Sequence, residues 1–140
     1  MFKATEAIYN ALKASKYDFK VFTEETENLS IVWLQFAAKS GSNYRIRFIS
    51  ADDDNDVAVR VMALIRLEEN KIPSILPVIN NLNKTYCYVK FVIEDDGGIN
   101  VLYDFPVSAS NVEECAEEIV IRFVKIIDSA YSVLMRAIWA

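Results

Sequence analysis

Apolar residues recur along this chain at one of two spacings. A spacing of two residues predicts strands, and spacings of three and four residues predict helices. The clearest example of the two-residue spacing is Tyr44–Phe48, where three apolar side chains alternate with Arg45 and Arg47. Such alternation is typical of a strand with one buried face. Near the start of the chain, Ile8, Ala11 and Leu12 follow at spacings of three and four residues. That spacing predicts an amphipathic helix.

The spacing of apolar residues over the whole chain predicts nine elements. The predicted helices are residues 5–16, 73–83 and 111–139, and the predicted strands are residues 19–23, 29–38, 44–48, 57–67, 86–93 and 99–105. Their order is α-β-β-β-β-α-β-β-α. Strands joined by tight turns pair antiparallel, so we expect one α+β domain over residues 1–140, with helices packed on an antiparallel sheet. The strand at 29–38 is so rich in apolar residues that we expect burial on much of both faces.

Local signals support several of these boundaries. The sequence Asp95-Asp96-Gly97-Gly98 predicts a hairpin turn, because glycine tolerates positive φ. Ser110 and Glu113 fit a capping box at the start of the last helix. Pro73 and Pro77 are expected in or near the first turn of the middle helix, where a missing N–H costs least.

The last two helices carry more apolar surface than one packed face requires. Between Ile119 and Trp139 the polar residues form only a narrow stripe, so either the first helix or a second chain must cover the remainder. A mean hydropathy of +0.15 favours self-association, and two-fold dimers are the commonest assembly. We therefore expect a homodimer. The candidate partner or dimer surface is Ile75, Val78, Ile79, Leu82, Tyr131, Met135 and Trp139.

Composition argues against many kinds of chemistry. The 140 residues include no His, which excludes Ser-His-Asp and Cys-His relays. Cys87 and Cys115 are far apart and are expected to be small buried residues in a reducing cytosol. The first residues lack the apolar core of a secretory signal, and charges interrupt the apolar C-terminal third. We expect a cytoplasmic protein, not in a membrane, without catalytic residues, metal or cofactor.

Two acidic segments resemble functional sites, but neither fits the requirements of the site that it resembles. Asp52, Asp54 and Asp56 match the first ligand positions of a calcium-binding EF-hand loop, but Val57 and Ala63 occupy positions that require Gly and Glu. A solvated loop is therefore expected. Asp95 and Asp96 could be paired acid–base carboxylates, but an exposed turn lacks the burial that shifts a carboxyl pKa.

Basic residues on the predicted strands form a candidate ligand face. It consists of Arg45, Arg47, Arg60 and Lys90, with Arg66, Tyr86 and Tyr88 as further members. Such a face could bind an acidic peptide, a nucleic acid or a small molecule, or it could be an ordinary charged outer surface. The net charge of -5 argues against nucleic acid and leaves peptide binding open.

The second half of the chain resembles a known family. Val78–Asn83 is followed by a strand, an acidic glycine turn and a second strand, then by Asp104–Val107 and a closing helix with Ile127-Asp128. This order resembles the YbjN family, which is named for a proposed role in bacterial sensory transduction. The resemblance implies a fold similar to type III secretion chaperones, frequent homodimers and no catalytic activity. Asn80 and Asn83 look like the family's asparagine pair, with a structural role at the helix end or on the next strand.

These observations together predict a non-enzymatic, dimeric interaction module that is regulatory or chaperone-like. It would bind a partner segment by strand addition or by docking a helix in a groove. The alternative is a small-molecule or nucleic-acid binding domain that uses the arginine-bearing face.

Overall fold

The computed structural model describes residues 1–38, 42–52, 56–106 and 112–140. The helices are α1 (Lys3–Lys13), α2 (Ile72–Thr85) and α3 (Val112–Ile138), and a short 3₁₀ turn, Glu69–Lys71, precedes α2. The strands are β1 (Phe22–Glu25), β2 (Ser30–Ala37), β3 (Asn43–Ser50), β4 (Val57–Arg66), β5 (Lys90–Ile93) and β6 (Gly98–Phe105). The predicted α+β class and element order are confirmed.

The six strands form one antiparallel sheet in the order β1-β2-β3-β4-β6-β5. Neighbours along the chain pair directly except at one point, where β6 lies between β4 and β5. The β2–β3 register is regular over eight pairs, from Ser30 opposite Ser50 to Ala37 opposite Asn43. Because side chains alternate between faces, this register places Val32, Leu34, Ile46 and Phe48 on the same side of the sheet.

That side of the sheet is the core. The helices supply it with Ile8 and Leu12 from α1, Ile75 from α2, and Phe123 and Ile127 from α3, all buried. Helix α1 packs against α3 as well as against β2 and β3, while α2 packs against β5 and α3. Burial of these apolar side chains on one sheet face, at ~25 cal/mol per Å², is the main stabilising contribution to the fold.

The expectation that β2 is buried on both faces is wrong. Its residues alternate between buried and partly or fully exposed, with Val32 and Leu34 buried and Gln35 exposed. The helices described here all contribute to the single core, so the opposite face of β2 is not covered by a second layer. The high apolar content of β2 therefore produces a partly exposed apolar surface.

A bulge interrupts the pairing of β4 with β6. The register shifts between Val61 and Ile65, and Ala63 adopts a φ of 50°. The buried side chain of Asn100 accepts a 2.7 Å hydrogen bond from the backbone N–H of Ala63 and donates a 3.1 Å bond to the Glu94 carboxylate. This asparagine satisfies a backbone donor that the ladder leaves unpaired, so the bulge is held by side-chain chemistry.

The predicted hairpin between β5 and β6 is present. Gly97 has a φ of 85°, and a Cβ at this position would lie 2.3 Å from the carbonyl oxygen of Leu67. Its own carbonyl accepts a 2.8 Å hydrogen bond from the N–H of Leu67. The turn therefore needs glycine for both its backbone angle and its close approach to the end of β4.

Several boundaries differ from the predicted ones. Strand β5 begins at Lys90, because the residues from Tyr86 to Val89 form a turn after α2. Pro77 lies inside α2, beyond the first turn, whereas Pro73 lies at its start as expected. The capping residue Ser110 and the centre of the acidic loop, residues 53–55, lie outside the described residues.

Candidate functional site

The uncovered side of the sheet, which we call the outer face, carries unusual chemistry for a solvated surface. Five of its apolar side chains are only partly buried and stay outside the core cluster. They are Ile31, Trp33, Ile49, Val92 and Leu102. Phe22 and Met62 are 45% and 50% exposed. One-sided antiparallel sheets usually present polar residues to water, so this apolar content makes the outer face the candidate binding surface.

The strand registers arrange part of this face in one row across all six strands. Residues paired in turn from β1 to β5 are Phe22, Trp33, Arg47, Arg60, Leu102 and Lys90. Arg45 lies two residues from Arg47 on β3 and therefore shares its face. The structure thus brings all four residues of the predicted ligand face to one side of the sheet, three of them in the same row.

Two of the arginine side chains on the strands are already neutralised. Arg60 contacts the Asp104 carboxylate at 2.6 Å and donates to the backbone carbonyls of Val59 and Tyr103. Arg66 contacts Asp96 at 2.9 Å. Within the described parts of the chain, Arg45, Arg47 and Lys90 have no ion pair. Unpaired positive charge on this surface is therefore concentrated on β3, with Lys90 at the far end of the row.

Aromatic rings hold one of these charges in place. The Trp33 indole stacks on Phe22 with ring centroids 4.3 Å apart. The Arg45 guanidinium lies 4.0 Å from the centre of the Trp33 ring, and its Nε donates a 3.4 Å hydrogen bond to Gln35. A cation–π contact of this kind is worth about 0.5–2 kcal/mol. It restricts the Arg45 side chain before any partner arrives.

A small cavity opens between these side chains on the outer face. Its volume is about 190 Å³. It is lined by Gln35, Asn43, Tyr44, Arg45, Arg47 and Met62. The Nε of Arg47 is buried and has no hydrogen-bond partner. The protein therefore leaves one donor of the Arg47 guanidinium unsatisfied, which is costly for a buried group.

The predicted partner or dimer surface needs correction. Ile75, Ile79, Leu82 and Tyr131 are buried, because α2 and α3 turn these side chains towards the core. They stabilise the subunit and are not available to a second chain. Val78 and Met135 are half-buried, and Trp139 is 79% exposed.

A second concave region lies beside this remainder, between α2 and the end of α3. It has a volume of about 410 Å³. Its lining is Val78, Asn81, Leu82, Thr85, Tyr86, Val133, Arg136, Ala137 and Ala140. Val133 is exposed, as is Trp139, which lines a separate cavity with Leu67, Lys71 and Ile138. Helix α3 packs against α1 and α2 and contributes to the core, while these apolar side chains near its C-terminus stay uncovered.

Tyr86 and Tyr88 do not join the outer face, contrary to the prediction. Tyr88 stacks on Tyr103 at 4.6 Å, and the Arg122 guanidinium of α3 lies 4.8 Å from its ring centre. Burial, and to a lesser extent Tyr103, raises the pKa of Tyr88. Tyr86 lines the region between α2 and α3. Both rings therefore lie on the helix side, because they precede β5 and do not continue its alternation.

The other candidate groups have structural or solvent-exposed positions. A hydrogen bond from the Gly98 N–H, assisted by Arg66, lowers the pKa of Asp96, which is a turn residue. Cys87 and Cys115 are both exposed, which corrects the expectation that they are buried. The described residues contain no group of three potential metal ligands. Among the described helices, none combines the length and apolar character needed to cross a membrane.

Sequence reasoning missed the aromatic and polar neighbours of the arginines. Phe22, Trp33, Gln35, Asn43 and Met62 all lie beside them on the outer face. The sequence of β2 does contain an indication of this arrangement. Gln35 is a polar residue within an apolar run, and it lies two residues after Trp33, so the two side chains share a face. Pairing β2 with β3 through the short turn would have placed Gln35 beside Arg45.

One residue of the predicted asparagine pair at the end of α2 bonds to the backbone of the next strand. The Asn83 side chain accepts a 2.7 Å hydrogen bond from the Phe91 N–H and donates a 3.0 Å bond to the Phe91 carbonyl. The expected bond to the next strand's backbone is confirmed for Asn83. Asn80 is exposed.

No family model matches the chain, and no curated protein matches it. The resemblance to the YbjN family therefore rests on the sequence pattern.

Proposed function

We propose that this protein is a non-enzymatic interaction module, regulatory or chaperone-like, that binds a protein partner through its outer face. The observation that carries the proposal is the row of Phe22, Trp33 and Arg47 across an uncovered sheet, flanked by partly exposed aliphatic side chains. Aromatic residues and arginine are the side chains most enriched in protein interfaces and their hot spots. The shallow, broad shape of this surface fits a protein segment.

The absence of histidine from the sequence supports a binding role over catalysis. Without imidazole, the commonest general base and the usual partner of a nucleophilic Ser or Cys are missing. The proposed setting is the cytoplasm, which agrees with two free, exposed cysteine thiols. Membership of the YbjN family and the chaperone-like fold belong to the same proposal, supported by the order of elements and by the structural role of Asn83.

A pair of matched variants tests the outer face. Met62 on β4 and Leu76 on α2 are 50% and 52% exposed, and they belong to opposite layers of the molecule. We expect Met62→Glu to abolish recovery of a stoichiometric partner from the native cell, and Leu76→Glu to leave it unchanged. Thermal unfolding of both variants checks that each is folded. Loss of the partner with Leu76→Glu alone would reject the outer face.

The homodimer is a second proposal, now restricted to the surface that the structure leaves uncovered. Trp139 is largely exposed and lines a cavity of about 170 Å³ with Leu67, Lys71 and Ile138. Val133 is exposed on the same helix and lines the region between α2 and α3. Exposed apolar side chains of this size favour a self-complementary contact. The outer face is a poorer choice for self-association, because a two-fold axis near Arg45 and Arg47 would bring like charges together.

Binding of a nucleic acid or small molecule through the arginines is the weaker alternative. Only three unpaired cations lie on the described outer face, and the net charge of -5 opposes a polyanion. Retention on heparin or filter binding of single-stranded RNA would favour it over a protein partner.

A further inference from the structure

We propose that the cavity between Arg45 and Arg47 is a carboxylate site that receives a Glu or Asp side chain from an acidic, extended segment of the partner. This inference rests on the proposed function and specifies the chemistry of the segment that binds. It concerns one small part of the outer face, where β2, β3 and β4 meet.

The donors in this cavity point to an anionic acceptor. Arg45 and Arg47 both line it, Arg45 has only a long bond to Gln35, and the enclosed Arg47 Nε has no partner within the protein. Gln35 and Asn43 add side-chain amides to the lining. A guanidinium offers five N–H donors and no acceptor, so a carboxylate is the side chain that best complements the pair.

The distribution of charge also favours an acid from outside the chain. The chain has 20 acidic and 15 basic residues, yet no described carboxylate pairs with Arg45 or Arg47. Arg60 and Arg66, on the neighbouring strand, each have an aspartate partner. Two like charges on one face of β3 repel each other, and a bound carboxylate would relieve that repulsion.

The surroundings indicate an extended segment in which apolar residues lie two positions before and after the acid. Met62 lines the cavity and Trp33 packs against Arg45 beside it, so an acid placed there has apolar partners for the side chains beside it. In an extended peptide, side chains on one face are two residues apart, so the same face that inserts an acid can present leucines to either side. A cavity of about 190 Å³ has room for one carboxylate side chain.

The test uses two synthetic peptides that differ only in charge. One has Leu at positions 2 and 6 and Glu at position 4 of seven residues, with Ser at the other positions, and the other has Gln in place of the Glu. The protein contains two tryptophans, Trp33 and Trp139, so the Trp139→Phe variant makes Trp33 the only fluorescent indole. We expect the Glu peptide to change Trp33 fluorescence with an affinity at least about tenfold above that of the Gln peptide.

Arginine variants assign the preference to the cavity. Arg47→Gln and Arg45→Gln are expected to remove the tenfold preference for Glu, whereas Arg66→Gln, outside the cavity and paired with Asp96, should retain it. Thermal unfolding confirms that each variant is folded. The preference should also fall as NaCl is raised, because charge pairing is screened.

The outcomes separate this inference from the proposed function. Equal binding of both peptides, with loss of both in Met62→Glu, would overturn the carboxylate site and leave the outer face as the binding surface. Retention of the Glu preference in Arg47→Gln, or no binding of either peptide, would also overturn it. Tighter binding of single-stranded RNA than of the Glu peptide would reassign the cavity to phosphate. The partner-recovery experiment with Met62→Glu and Leu76→Glu judges the proposed function independently.

Discussion

At the scale of single residues, side chains that bond to backbone atoms support the surfaces that carry the proposed function. Asn83 pairs with both polar backbone atoms of Phe91 on the edge strand β5. This contact occupies hydrogen-bonding groups that would otherwise be open to another chain, so it limits unwanted pairing at that edge. It also ties the end of α2 to the sheet.

Removing the Asn83 side chain should destabilise the fold. In Asn83→Ala both Phe91 groups lose their partner, at a cost of about 1–3 kcal/mol for each group left unsatisfied. Asn80→Ala, an exposed position one turn earlier, should change the free energy of unfolding by less than about 0.5 kcal/mol. Urea unfolding measures both values. Equal effects of the two substitutions would contradict a specific role for the Asn83 contacts.

The turn residue Asp96 should make stability depend on pH in the acid range. Its pKa is lowered in the folded protein by the Gly98 N–H and by Arg66. The stabilisation is therefore fully present above the unfolded-state pKa, about 3.9, and is lost as the pH falls through the lower folded-state value.

Asp96→Asn is expected to lose this contribution. Urea unfolding should show a difference between wild type and variant at about pH 6 that shrinks steadily below about pH 4. The adjacent, exposed Asp95→Asn provides the control. A difference that grows on acidification would contradict the assigned sign.

At the scale of elements, the hairpin between β5 and β6 shows how local and distant requirements combine. Gly97 supplies a positive φ, which the local sequence predicts. Its position against the Leu67 carbonyl depends on β4, which is distant in the sequence, and could not be predicted locally.

Gly97→Ala should therefore destabilise the fold more than a substitution that affects only the backbone angle of a turn. Positive φ and the 2.3 Å approach to Leu67 together should cost about 1–3 kcal/mol of folding free energy. Gly98→Ala is the comparison, because its φ is not in the left-handed range and its nearest outside contact is 3.0 Å away, at the flexible Asp96 side chain. Thermal unfolding measures both variants. Equal decreases in the unfolding midpoint of Gly97→Ala and Gly98→Ala would contradict this explanation.

The elements that sequence periodicity predicts best are those with one buried face. Strand β3 alternates cleanly, and both arginines lie on its outer side as expected. Periodicity does not predict the bulge in β4, because Asn100 on β6 supplies the bond that Ala63 needs. It also overestimates the burial of β2, since apolar residues on an uncovered strand look like core residues.

At the scale of the whole molecule, packing between helices determines which apolar residues stay available. Tyr131 of α3 is buried and its hydroxyl lies 3.0 Å from the Ser42 hydroxyl, while Trp139 extends beyond the end of the core. Sequence alone identifies the surplus on α3. It cannot separate the residues that α1 covers from those left exposed, because that depends on the relative placement of the helices.

Self-association should depend on Trp139. Sedimentation velocity at micromolar concentrations is expected to show a dimer for wild type, and Trp139→Glu should raise its dissociation constant at least about tenfold. Tyr17→Glu, at a 50% exposed aromatic position near the end of α1, serves as the control and should remain dimeric. A wild-type protein that stays monomeric across this range would refute the homodimer.

The proposed function requires that the outer face of the sheet, and not the helical layer, binds the partner. Site-specific photo-cross-linking in the native cell tests it directly, with a benzophenone side chain placed at Met62 or at Leu76, which are almost equally exposed. Our account predicts a discrete covalent adduct with one partner protein from position 62 and none from position 76. An adduct from position 76 without one from position 62 would contradict it.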